Sequence, residues 1–135
     1  MTPVHVHLRV GACRYALPVE DVLEVDRLGE IAPVPGAGGA SLGVRTLHGQ
    51  LLAVFDLARV LGISRSGEPC RIVVVGDAGR RAGLAIDEVL DVCPLPPAGE
   101  EGAGPFLRAS TRVGGHVVGV LDVPAVLDAL ESGDA

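Results

Sequence analysis

The sequence predicts an all-β fold with a few short helices, built as two small barrels side by side and related by a pseudo-two-fold axis. Three observations predict it. First, the chain is written twice: Leu17-Pro18-Val19-Glu20-Asp21-Val22-Leu23-Glu24-Val25 returns 67 positions later (84 − 17) as Leu84-Ala85-Ile86-Asp87-Glu88-Val89-Leu90-Asp91-Val92. Gly49 to Leu57 likewise returns 66 positions later (115 − 49) as Gly115 to Val123. Self-similarity at a fixed period marks duplicated supersecondary units. Second, hydrophobic residues make up 48% of the chain and aromatics only 2%, so the core is aliphatic. Val-rich runs punctuated by 19 Gly and 10 Pro favour short strands and tight turns. Third, each copy offers about five short strands and one short helix, too few strands for a sandwich, and small bent sheets protect their edges by curling.

Along the chain, Val4 to Val10 alternates apolar residues with His and Arg, the period-two pattern of a strand with one wet face. Gly11-Ala12-Cys13 turns it, and Arg14 to Val19 returns. Residues 20 to 26 place acids at 20, 21, 24 and 26 among apolar groups, a pattern open between a helical turn and a strand. Pro33, Pro35 and Gly36-Ala37-Gly38-Gly39 make a loop. Leu42 to Leu47 and Leu51 to Phe55 read as strands joined at His48-Gly49, and Asp56 is placed to cap a helix, Leu57 to Leu61, that Gly62 ends.

Residues 64 to 69 mark the seam between half-units of about 4–63 and 70–131 within one domain spanning 1–135, with exchange of strands between the halves left open. The second copy then follows the same plan. Arg71 to Val75 is a strand, Gly76-Asp77-Ala78-Gly79 a turn, Ala82 to Val92 extended, and Pro94 to Pro105 a loop. Leu107 to Val113 and Val117 to Leu121 form a hairpin, Asp122 caps a final helix with Pro124 in its first turn, and Glu131 to Ala135 is expected to fray.

Charge and composition exclude several functions. A net charge of −6 repels nucleic acid and anionic membrane surfaces. No apolar stretch approaches the length of a membrane span, and the start Met1-Thr2-Pro3-Val4-His5 lacks the features of a signal peptide. Cys13, Cys70 and Cys93 are odd in number and form no C-x-x-C pair, which suits a reducing cytosol.

Candidate chemistry is sparse. Asp56 and Asp122 occupy equivalent positions, so the pseudo-axis could pair them as in an aspartic hydrolase. Such a dyad needs a Gly-containing turn after the acid, whereas Leu57-Ala58 and Val123-Pro124 stand there; two helix caps explain both residues. His5 and His7 share a strand face but find no third ligand in sequence, and a solvent-facing pair is the expectation. Cys13 shows no base or orienting group around it, so a buried or turn cysteine is expected. The acid clusters Glu20/Asp21/Glu24/Asp26 and Asp87/Glu88/Asp91 lack the alternating ligands and central Gly of a calcium loop, and read as solvated faces. With no catalytic residue, metal site or cofactor indicated, a protein-binding module is the expectation.

The ordered motifs carry a resemblance. Tyr15-Ala16-Leu17-Pro18-Val19, Val22-x-Glu24-Val25, Val34-Pro35, Leu42-Gly43-Val44-x-x-Leu47-x-Gly49 and Leu52 to Leu57 together resemble the CheW family of chemotaxis coupling proteins. Gly83-Leu84-x-Ile86-Asp87-x-Val89 and Val118 to Val123 fit that family's later strands, so the resemblance runs from about Val6 to Leu130. It implies two five-stranded SH3-like barrels packed side by side. It implies a cytoplasmic, non-catalytic adaptor that binds the regulatory domain of a CheA-type histidine kinase and the cytoplasmic tip of a methyl-accepting chemoreceptor, with no cofactor. Receptor helices are then expected at the groove between the barrels, and the kinase barrel to barrel.

By motif position Val22 and Glu24 fall in the receptor-facing segment, with Arg45, Leu47, His48 and Gly49 beside it. Where the family usually reads Asn-Leu-Arg-Gly, this chain has Thr46-Leu47-His48-Gly49. His48 lacks the permanent planar fork of arginine, which makes the usual polar contact weaker or pH-dependent. Arg45 is an alternative cation, though an odd offset along a strand points it to the other face. A diverged module with a different partner is the alternative reading.

Overall fold

The computed structural model describes residues 3–65, 67–96, 100–101 (backbone only) and 104–132. Alternating apolar and polar residues, interrupted by Gly and Pro, produce strands β1 (Val4–Val10), β2 (Cys13–Pro18), β3 (Val22–Arg27), β4 (Ser41–Leu47) and β5 (Gln50–Asp56), closed by helix α1 (Leu57–Leu61). The second copy supplies β6 (Arg71–Asp77), β7 (Arg80–Ile86), β8 (Glu88–Pro94), the two-residue β9 (Glu100–Glu101), β10 (Leu107–Val113) and β11 (His116–Leu121), then helix α2 (Val123–Ser132). The ambiguous segment 20–26 contains both readings: a 3-10 turn at Val19–Asp21 leads directly into β3. The stretch Ala82 to Val92 is two strands, not one, because the chain bends at Asp87 to change sheets. Helix α2 includes Glu131 and Ser132, two residues of the tail expected to fray; the rest of that tail lies outside the described residues.

The strands exchange between the two copies. One sheet has the order β8-β1-β2-β11-β10-β9 and the other β3-β6-β7-β5-β4, so β1 and β2 pair with the second copy while β6 and β7 pair with the first. We call them the β1 barrel and the β3 barrel. Each consists of five main strands, and among the described residues no backbone ladder joins the two edge strands of either.

Shifting the numbering by 67 for the first three strands and 66 for the last two superposes the two registers. Glu24 opposes Val74 as Asp91 opposes His7, and Val54 opposes Gly83 as Val120 opposes Ala16. The bulges recur as well, at Leu23 and Leu90 and again at Leu42 and Arg108.

Three apolar clusters hold the body together. The largest lies between the sheets, where Leu8, Val10 and Leu17 meet Val73, Leu84 and Ile86, covered by α1 and α2. Each such side chain contributes roughly 1.5–3 kcal/mol on burial. Leu47, Leu52, Val54, Ile72 and Val74 fill the interior of the β3 barrel, whereas Ala16, Leu95, Val118 and Val120 form a smaller cluster in the β1 barrel.

Candidate partner-binding surface

The β4–β5 connection is a two-residue turn, His48-Gly49, with φ of 49° and 79°. Tight hairpins of this kind need positive φ at both central residues, which Gly tolerates and His adopts at some cost. This geometry aims the His48 ring across the mouth of the barrel, where Nε2 lies 2.9 and 3.0 Å from the two carboxylate oxygens of Glu24 on β3. A second contact lies deeper. Arg45 donates to Asp26 Oδ2 at 2.9 Å and to the carbonyls of Arg27 at 2.6 Å and Leu28 at 3.3 Å. The Asp26 carboxyl is held below its usual range by the Arg27 amide first and the Arg45 guanidinium second. Edge strand β3 is thus fastened to β4 and the β4–β5 turn by side chains instead of a ladder.

Binding Glu24 and Asp26 on the inner side turns the other side of β3 outward. Its burial pattern is inverted, with the acids half-buried while Leu23 (58%) and Val25 (41%) are exposed. Edge strands ordinarily present charge or Pro to solvent, so exposed apolar residues there make this strand a candidate interaction surface. Leu51, at the start of β5, is 71% exposed. The positions equivalent to Val25 and Leu51 are Val92 and Val117, and they too are exposed, at 55% and 57%. Sequence reasoning passed over all five. The available signal was that Val25/Val92 and Leu51/Val117 are matched positions of the repeat.

Of the residues singled out in sequence, Glu24, His48 and Gly49 meet at this mouth, and Val22 begins β3 half-buried against the inter-sheet core. Leu47 is buried in the β3 barrel interior and Arg45 is committed to Asp26 and two carbonyls. Asp56 Oδ1 accepts from the Ala58 amide at 3.1 Å at the start of α1, which ends on left-handed Gly62, and Asp122 Oδ1 accepts from the Ala125 amide at 3.1 Å. Asp56 is also ion-paired with Arg65, whose Nε lies 3.4 Å from Asp87. Asp87 in turn receives Arg9 at 3.3 Å and the Gly11 amide at 3.0 Å. This network ties the two barrels together beside the linker. His7, expected at the surface, is buried, because β8 pairs alongside β1 and covers it. Cys13 lies exposed at the start of β2.

Residues 5–131 match the CheW-like domain family. The chain belongs to that family. Protein FrzA of Myxococcus xanthus is 35% identical over 118 residues, covering 80% of this chain and 73% of that protein. The fold is similar to the crystal structure of the scaffolding protein TtCheW from Thermoanaerobacter tengcongensis, with a TM-score of 0.82 and 24% identity over 90% of each chain. The CheW-like assignment makes this a non-catalytic scaffold protein of chemotaxis-type signalling. The two five-stranded units expected from the resemblance are the two packed sheets described above, with the strands exchanged between the copies and no ladder closing either barrel among the described residues. No helix among the described residues is long and apolar enough to cross a membrane.

Proposed function

We propose that this protein is a cytoplasmic adaptor coupling methyl-accepting chemoreceptors to a CheA-type histidine kinase. The observation that carries the reading is the repeated exposure of apolar side chains at matched positions of the two barrels, Val25 with Val92 and Leu51 with Val117. A scaffold must engage two partners at once, and two apolar surfaces on barrels that share strands and a core supply two docking points. On the β3 barrel the polar neighbours of that surface are Glu24, His48 and Gly49, with Val22 at the base of the strand. The kinase regulatory domain, itself CheW-like, would meet one barrel, and the receptor tip would lie along the groove between the two.

A second reading has its own support. His48 stands in place of the family arginine and is already engaged by Glu24, which suits a diverged module with another partner. Titration of the protein against the regulatory domain of a CheA-type kinase, with and without a receptor-tip fragment, separates them. Coupling predicts micromolar binding strengthened by the fragment and weakened by Leu51→Asp and Val117→Asp. Absence of binding by a folded protein would favour the diverged module.

A further inference from the structure

The two barrels are built to one register but their mouths differ. In the β3 barrel, Glu24 faces His48, Asp26 faces Arg45 and Arg81 donates to Gln50 Oε1 at 2.6 Å, while Val74, Leu47 and Leu52 fill the space behind them. The matched residues of the β1 barrel are Asp91, Cys93 and Arg14 in front, with His7, Val113 and Val118 behind. The residues that satisfied the charges have changed. Gly114 stands where His48 does and Thr111 where Arg45 does, and neither brings a charge. Among the described residues no cation pairs with Asp91, whose Oδ1 accepts the Val92 amide and whose carboxylate also meets the Cys93 thiol, and no hydrogen bond or ion pair holds the guanidinium of half-buried Arg14. Between them is a cavity of about 320 Å³ lined by Arg14, Asp91, His7 and Cys93, with Tyr15 beside the aliphatic wall of Leu90, Val113 and Val118.

We propose that this cavity binds a small zwitterion of the α-amino-acid class with an aliphatic side chain. The Arg14 guanidinium takes the carboxylate, the Asp91 carboxylate takes the ammonium group, and the aliphatic wall takes the side chain. Charge-assisted hydrogen bonds of both signs orient such a ligand, and an uncharged or singly charged analogue leaves one pole unmet. The volume is at the small end of the range of roughly 300–1,000 Å³ for small-molecule sites, which suits one amino acid and not a nucleotide. His7 Nε2 lies 3.5 Å from Cys93 Sγ at the back of the cavity. Burial pulls the imidazole down and pushes the thiol up, so both are neutral donors or acceptors there. The site is separate from the surface on the β3 barrel and does not depend on the coupling role.

Calorimetric titration of the full chain with L-valine, isovalerate (its analogue without the amine) and isobutylamine (its analogue without the carboxylate) tests this. The expected result is binding of valine alone, weakened about tenfold or more by Arg14→Gln and by Asp91→Asn, as loss of a charged hydrogen-bond partner predicts. Gly114→His rebuilds the partner seen in the β3 barrel and should abolish binding while raising the melting temperature, which keeps the test decisive if the other variants fold poorly. Equal affinity for isovalerate or isobutylamine would overturn the two-pole assignment. No heat from any of the three ligands at millimolar concentration, or binding indifferent to all three substitutions, would overturn the site itself.

Discussion

The β1 and β3 barrels share every backbone detail that sets strand register, and differ where their edges approach. Matched bulges, matched parallel pairs and matched corner bonds (Asp56 N to Ala40 O and Asp122 N to Phe106 O, both 2.8 Å) show that duplication preserved the ladders. The reason is geometric. A slip of one residue would turn each strand's apolar set to the wrong face, so register is specified many times over. Side chains at the mouth carry no such constraint, and there ion pairs latch the β3 barrel while the β1 barrel has a cavity between Arg14 and Asp91. The same freedom joins the barrels by an asymmetric network, since Arg65 has Glu131 at its matched position.

Breaking that network should have the largest effect. Arg65 is 8% exposed and stands between Asp56 and Asp87, themselves 10% and 13% exposed. Removing the cation leaves each largely buried carboxylate short of one partner, Asp87 keeping Arg9 and Asp56 keeping the more distant Arg59 at 3.6 Å, so the expected loss is about 2–3 kcal/mol, less than for a fully unpaired buried charge. Urea denaturation of Arg65→Ala should show it. A loss below about 1 kcal/mol would place the network with exposed surface pairs of little worth.

The latch of the β3 barrel comes next. Arg45→Met keeps most of the side-chain volume but removes the donors to the Arg27 and Leu28 carbonyls. Loss of these charge-assisted bonds is expected to cost about 1–2 kcal/mol. A cost below about 0.5 kcal/mol in chemical denaturation would mean that these bonds do not latch the mouth of the β3 barrel.

The sequence allowed the fold to be read further than the surface. Strand number, the turns at His48-Gly49 and Gly114-Gly115, and both helix caps were legible because each rests on local chemistry: period-two alternation, positive-φ residues and an Asp before a helix. The strand exchange was not legible, because β1 and β2 are compatible in pattern with either sheet and only long-range pairing decides. The inverted face of β3 was hidden for a related reason. Leu23 and Val25 look like core residues and Glu24 like a solvated acid until His48 and Arg45 are seen to close over the other side. His7 was misread because alternation locates a face but cannot say that β8 will cover it.

Burial of His7 makes the β1 barrel sensitive to acid in a way its twin is not, since the matched residue is Val74. The unfolded imidazole takes its proton near 6.5, whereas burial, partly offset by Asp91, lowers the folded value. Below about pH 6.5 the unfolded state therefore binds more protons, and stability falls with pH until the folded imidazole is protonated as well. His7→Val should remove this contribution, so that the difference in unfolding free energy between variant and parent grows as pH is lowered from 7 toward 5. A difference independent of pH would mean that the imidazole is not what titrates.

The smallest effect sharpens the comparison by making the twins more alike. The β1–β2 turn begins with Gly11 at φ 59°, while its counterpart in the β6–β7 turn is Ala78 at φ 51°, a left-handed conformation that disfavours a Cβ. Gly11 cannot be exchanged in the other direction, because a Cβ there would lie 2.6 Å from the Ser64 carbonyl oxygen. Ala78 is exposed and has no such neighbour, so Ala78→Gly relieves the backbone without opening a cavity. The gain is limited by the extra freedom glycine gives the unfolded chain, which leaves a net stabilisation of about 0.5–1 kcal/mol. Thermal and urea unfolding should both register it. Destabilisation instead would mean that chain entropy outweighs left-handed strain at this turn, and that the alanine is retained there because it restricts the unfolded state.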